Sequence, residues 1–259
     1  MFRRHLLTSL ALTAVVAVAL GLAYPLAVYG VGKVAFPWRA NGSFVTRNGK
    51  VVASSLIGQE YLDSKGNPDG RYFQPRPSAA GAGYDPTASG ASNLGPSNPL
   101  LVGFVPGLNT VDLDGNPSPT NPFATPDDPY CVPTDAKTGN PVASPSTGQA
   151  YAKNPDGSYV CDANTVPERV VAYRQLNNLA DTAKVPVDAV TASGSGLDPD
   201  ISVANAHLQA PRVAAARNLA VSTVMTLIGR HTDNPQWGFL GEKTVNVVDL
   251  NLALDDLHS

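Results

Sequence analysis

The residues that could carry chemistry are a glycine-rich run, four histidines and one aspartate-rich turn. Ser193-Gly194-Ser195-Gly196 offers successive backbone N–H groups, the arrangement that cradles a phosphate ahead of a helix. It departs from the strict patterns. No GxxxxGK[ST] occurs, and extending Gly194-x-Gly196 to GxGxxG would put glycine where Pro199 stands. The run is read as a turn linking strand to helix. Ser195 as a hydrolytic nucleophile would need a glycine two positions on, and Leu197 is there instead. His5, His207, His231 and His258 show neither ligand spacing nor a base-to-nucleophile arrangement. Asp112, Asp114 and Asn116 begin like a calcium loop, but its twelfth position is Phe123 rather than glutamate. No catalytic residue and no metal ligand is assigned.

The elements that would position these residues begin with an anchor. From Leu6 to Gly32 no Asp, Glu, Lys or Arg occurs, well over the roughly 20 residues that a bilayer helix needs. Residues 1–33 are therefore expected to form a transmembrane helix. Pro25 lies in its last third, and Tyr24, Tyr29, Phe36 and Trp38 suit an interface. The competing reading is a cleaved signal peptide with Arg3-Arg4 as its charged start; the apolar run is longer than such a segment requires. Positive-inside counting is nearly a draw, with Arg3 and Arg4 facing Lys33, Arg39 and Arg47. The net charge of -3 supplies no basic face, so nucleic acid is not expected as a partner.

Cys131 and Cys161 are the only two cysteines. They stand in a stretch without core patterning, and a disulfide between them is the preferred reading over two free thiols. Closing a loop of that length would restrict the unfolded chain by roughly 3–4 kcal/mol, which is useful only in an oxidising compartment. That places residues 34–259 outside the cytoplasm. Thirteen of the 23 prolines fall between Pro96 and Pro167, so about 103–165 reads as a long irregular insertion in that domain.

Around the insertion the patterning is mixed. Asn48-Gly49 between short apolar runs predicts a hairpin. ERVVAYRQLNNLA restores helical spacing from about Val166. Ser202 caps a helix from Val203, Pro211 opens another to about Asn218, and Ser222 caps a third through Ile228. The apolar positions from Val245 to Leu254 read as a strand changing phase or running into a helical turn. Without βαβ alternation the class is α+β.

Five blocks carry a resemblance: FPWRANGSF from Phe36, SSLIGQ from Ser54, YFQPRPSAAGAGYDPTASGASNLGPSNP from Tyr72, VPVDAVTASGSGLDPDISVANAHLQAPRVAAARNL from Val185, and VNVVDLNLALD from Val245. Together they resemble the C subunit of the Kdp-type potassium-transporting ATPase. The resemblance implies a non-catalytic subunit of an ATP-driven potassium uptake complex in the cell (inner) membrane, beside pore-forming and ATP-hydrolysing subunits and the lipid bilayer. It also implies a chaperone role that raises the ATPase subunit's affinity for ATP, with Gln209 in LQAPR as the matching nucleotide contact. An exported domain would not meet cytosolic ATP, so these two expectations conflict. Ala91 interrupts the family's usual SGGSN, and the insertion is not typical of it. Ala136-Lys137-Thr138-Gly139-Asn140 looks like the phosphorylation motif DKTGT, but its aspartate is displaced to Asp135, so it is read as coincidence. The alternative is an independent membrane-tethered envelope binding module or hydrolase.

Overall fold

A computed structural model describes residues 2–95, 98, 101, 121, 123, 131–137, 142, 150–161 and 165–257. The chain divides into two compact units, Met1–Leu56 and Ile57–Ser259. The first opens with helix α1 (Phe2–Val18), a π turn (Ala19–Ala23) and helix α2 (Tyr24–Ala35). Together they make one 34-residue apolar helix, long enough to cross a membrane and with none of its hydrophobic window buried. The π turn has a local cause. Pro25 has no N–H for the carbonyl of Gly21 and its ring would collide with it, so the turn just before the proline widens.

After the one-turn helix α3 (Pro37–Ala40) come β1 (Phe44–Arg47) and β2 (Lys50–Ser54), paired antiparallel. Asn48 and Gly49 join them at φ +49° and +74°, the left-handed pair that a tight hairpin needs and that the Asn-Gly dipeptide predicts.

In the second unit, α4 (Val166–Leu176) starts at a capping box in which Thr165 and Glu168 cap each other. A 3-10 turn (Val187–Ala189) precedes β3 (Asp200–Ser202), which runs straight into α5 (Val203–Ala216). Then follow α6 (Val221–Arg230), β4 (Thr232–Asp233), β5 (Thr244–Asn246) and α7 (Val247–Asp256). The three short strands form an antiparallel sheet in the order β3-β5-β4. The class is α+β, as the patterning predicts.

The core lies between this sheet and the apolar faces of α5, α6 and α7. It contains Ile201, Ala206, Ala210, Val213, Val224, Ile228, Val245, Leu250 and Leu254. Phe73, from an extended segment with no neighbouring strand, is fully buried in it. Asn251 makes this possible: its amide accepts the Phe73 N–H and donates to the Phe73 C=O, both at 2.9 Å, in place of a strand partner.

Several expectations need correction. Pro211 does not open a helix; it lies inside α5. It removes one hydrogen bond on the exposed side, while the opposite side buries four apolar residues, which holds the helix together. Ser222 is not the cap: α6 begins one residue earlier, at Val221, with Ala220 in the cap position and Leu219 just before it packed against the core. The stretch around the cysteines does have a core, in which Phe123, Cys131, Val132 and Val142 are buried and Tyr151, Tyr159 and Cys161 pack on them. Its signal is a scatter of single apolar residues with no period, which pattern reading passes over. The sulfurs of Cys131 and Cys161 lie 1.99 Å apart.

Candidate functional site

The polar residues of the second unit converge on α5. Its start is fixed twice: Ser202 Oγ accepts the Asn205 N–H at 3.1 Å, and Asp188 accepts from the Ser202 N–H and hydroxyl, each at 2.8 Å. Asn205, Gln209 and Arg212 lie one turn apart on the same helix and are all buried. Asn205 donates to Asp188 at 3.0 Å and accepts from the Tyr173 hydroxyl and from Gln209, both at 2.8 Å.

Gln209 is 1 % exposed, and its carboxamide is fully engaged. Oε1 accepts from the Gln74 N–H at 2.7 Å and from Arg212 at 2.8 Å. Nε2 donates to the Gln74 carbonyl at 3.0 Å and to Asn205. Both donors and both acceptor positions are occupied within the chain.

Arg212 lies in a cage of neutral oxygens. It donates to Asn177 Oδ1, to the carbonyls of Asp69, Gly70 and Tyr72, and to Gln209. Burial lowers its pKa from 12.5 to about 10, which leaves it charged at neutral pH. Its task is to hold the carbonyls of the 69–72 turn against α5. Tyr72 in that turn lies under the Arg217 guanidinium, 4.6 Å from the ring centre, and stacks on Tyr61.

A second junction joins three of the resemblance blocks. Gly58 N–H donates to the Leu197 carbonyl at 2.8 Å, and Gly90 N–H to the Ser195 carbonyl at 2.9 Å. The Ser78 hydroxyl donates to the Gly196 carbonyl at 2.6 Å, and the Tyr84 hydroxyl to the Arg76 carbonyl at 2.9 Å. Arg76 pairs with Asp198 at 3.2 Å. Gly196 has φ +68°, and a Cβ there would lie 2.6 Å from the Gly90 oxygen. At Gly58 it would lie 2.4 Å from the Tyr84 ring. These glycines are required because other chain segments cross where a side chain would be.

The glycine-rich run is therefore part of a clasp between chain segments. It follows the 3-10 turn and precedes β3, so it does not link a strand to a helix. Two backbone donors at its end are used locally: the Gly196 N–H donates to Ser193 Oγ at 2.9 Å and the Leu197 N–H to Ser195 Oγ at 3.1 Å.

Between the 74–78 segment and α4 lies a groove of about 450 Å³ walled by Pro75, Pro77, Tyr173 and Leu176, with Gln209 in its lining. Burial raises the pKa of both Tyr84 and Tyr173, so each phenol acts as a hydrogen-bond donor rather than a base. Among the described residues no group of three His, Cys, Asp or Glu is placed to hold a metal ion. His207 is exposed on α5 and His231 ends α6. Lys137 N–H closes a turn on Asp135 at 2.9 Å. His258, the Asp112–Asn116 turn and Thr138 to Asn140 lie outside the described residues.

Sequence reasoning singled out Gln209 but missed Asn205 and Arg212, which bond to it, and Asp188, which holds Asn205. The spacing of Asn205, Gln209 and Arg212 on one helix face was the available signal. Splitting the helix at Pro211 separated Arg212 from that face.

These features define a class: an α+β domain behind one apolar helix, with a polar centre that locks chain segments together. A family profile described as the K+-transporting ATPase, c chain (KdpC) matches residues 6–121 and 125–256. Proteins named Potassium-transporting ATPase KdpC subunit are similar over nearly the whole length. The one from Mycobacterium tuberculosis is 42% identical over 255 residues, covering 98% of this chain and 100% of the relative. The Acidobacterium capsulatum relative is 37% identical over 254 residues, covering 98% and 99%. The Kineococcus radiotolerans relative is 39% identical over 251 residues, covering 97% and 93%. The chain belongs to the KdpC family.

Proposed function

We propose that this chain is the accessory, non-catalytic subunit of an ATP-driven potassium uptake complex. The apolar helix Phe2–Ala35 anchors it in the inner membrane as a single span, and the second unit stands outside the cytoplasm. There it assists assembly with the pore-forming and ATP-hydrolysing subunits. Family membership supports the subunit role and leaves the independent envelope module without support. The observation that supports the exported orientation is the pairing of Cys131 with Cys161 inside a small aromatic core, a disulfide that an oxidising compartment sustains.

On this reading Gln209 is a structural clamp, and the complex's nucleotide chemistry belongs to another subunit. A family role as chaperone for ATP binding would require the opposite orientation and an opened Gln209 network. The orientation test is Lys184→Cys, an exposed position, labelled in intact cells with the wild-type chain as blank. Reaction with a membrane-impermeant maleimide is expected; labelling only by permeant reagents refutes the export. The insertion at about 103–165 is read as a surface addition. Replacing Leu108 to Asn164 by a short linker leaves co-purification with the other subunits intact on this reading, and loss of co-purification refutes it.

A further inference from the structure

Between β4 and β5 a hairpin carries three large apolar side chains into water. Trp237 is 84% exposed, Phe239 73% and Leu240 46%. Its backbone is held: Gln236 and Leu240 exchange both hydrogen bonds at 3.0 Å, and Gly238 N–H donates to the Pro235 carbonyl at 2.9 Å. Trp237 and Gly238 have φ of +53° and +83°. Glycine adopts that backbone freely, whereas a bulky side chain crowds the adjacent carbonyl. Turn chemistry alone would favour Asn, Asp or Gly at position 237, so the indole is there against the local rule.

The surroundings indicate what meets it. Asp233, Asn234, Gly241, Glu242 and Lys243 flank the tip, and all are exposed. The apolar apex is thus bounded along the chain on both sides by exposed residues, three of them polar or charged within three positions of the tip: Asn234, Glu242 and Lys243. A stable protein interface needs about 800 Å² from each partner, far more than three side chains at a hairpin apex supply. A bilayer's interfacial layer accepts single aromatic tips, and tryptophan is enriched there because its ring is apolar and its N–H polar. A bilayer is also the apolar phase that the helix Phe2–Ala35 is built to enter.

We propose that the Trp237–Leu240 hairpin is a second membrane contact, which sets Trp237 and Phe239 into the headgroup layer of the leaflet facing the second unit. This rests on the anchoring read above, though not on which side of the membrane the unit occupies. The test uses the full chain in phosphatidylcholine vesicles with and without brominated acyl chains. Trp38 and Trp237 are its two tryptophans, so Trp38→Phe isolates Trp237 and Trp237→Phe isolates Trp38.

Bromolipid quenching of Trp237 is expected. In Phe239→Ser the ratio of inserted to free tip should fall about tenfold, from the loss of one buried aromatic. Quenching in the wild-type chain minus that in Trp237→Phe gives the same quantity without reliance on how Trp38→Phe folds. Trp237 unquenched while Trp38 is quenched overturns the hairpin contact and leaves the anchor standing; neither quenched overturns both. Trp237 unquenched in vesicles but shielded once the other subunits are co-reconstituted assigns the tip to a protein, and also overturns the proposal.

Discussion

Replacing Gln209 by leucine separates a structural role from a nucleotide contact. The carboxamide closes four hydrogen bonds, to the Gln74 N–H and carbonyl, to Asn205 and to Arg212. Leucine fills a similar volume and makes none of them. The Gln74 N–H and carbonyl and one Arg212 N–H are then orphaned around a side chain that is itself 1 % exposed. Each buried orphan costs about 1–3 kcal/mol, and partial relaxation brings the sum to about 4 kcal/mol. Amide hydrogen exchange read by mass spectrometry suits a chain with a detergent-bound helix, because it localises the loss. Peptides from α5 and from residues 69–77 should exchange about a thousandfold faster than in the wild type, since about 1.4 kcal/mol corresponds to tenfold. Gln209→Glu should also accelerate exchange, because its second oxygen faces the Gln74 carbonyl where an N–H donated. Exchange within about tenfold of wild type in Gln209→Leu, with loss of potassium-dependent ATPase activity in the assembled complex, would refute the clamp and restore Gln209 as a ligand contact.

Three further outcomes follow from other parts of the molecule. Gly196→Ala should unfold the clasp, because its Cβ would sit 2.6 Å from the Gly90 oxygen at positive φ, whereas at Gly194 nothing lies within 4 Å; the thermal midpoint of Gly194→Ala should match wild type and that of Gly196→Ala should fall steeply. Burial, with Asp198 and Asp233 nearby, raises the Asp200 pKa. The folded state therefore holds that proton more tightly than the unfolded state, and the contribution favours folding at acid pH and is lost as pH rises through the folded pKa. Asp200→Asn should thus be the more stable chain at neutral pH, with the difference vanishing as pH falls below about 4; a constant difference across pH would count against the shift. Cys131→Ser with Cys161→Ser should loosen the second core by roughly 3–4 kcal/mol, so that protease cuts within 131–161 while 165–257 stays resistant.

The legible parts of this fold were those governed by local rules. Asn48-Gly49, Ser202 and the polar-to-apolar change at Val166 each determine their own turn or helix start, and the structure follows them. Reading failed where distant residues decide. Pro211 is a helix breaker by itself, but within α5 it is outweighed by Ala206, Ala210, Val213 and Ala214 on the core side. Phe73 is buried because Asn251 takes both of its backbone groups, a bond across 178 positions that no local pattern announces. For the site, one member of the polar network was visible through the resemblance. The others appear as an ordinary polar helix face until Asp188, Tyr173 and Asn177 are seen to approach it.

The long spans of those bonds bear on how the domain is made. Phe73 waits for Asn251, Gly58 for Leu197 and Gln74 for Gln209. At ordinary translation rates of roughly 5–20 residues per second, the N-terminal helix leaves the ribosome many seconds before the last of these partners is synthesised. The first half of the second unit must stay open through that interval, and closing it means bringing far-separated ends together, which makes folding slow. A truncation before Asn251 should accordingly yield a chain whose helix inserts normally and whose domain never closes.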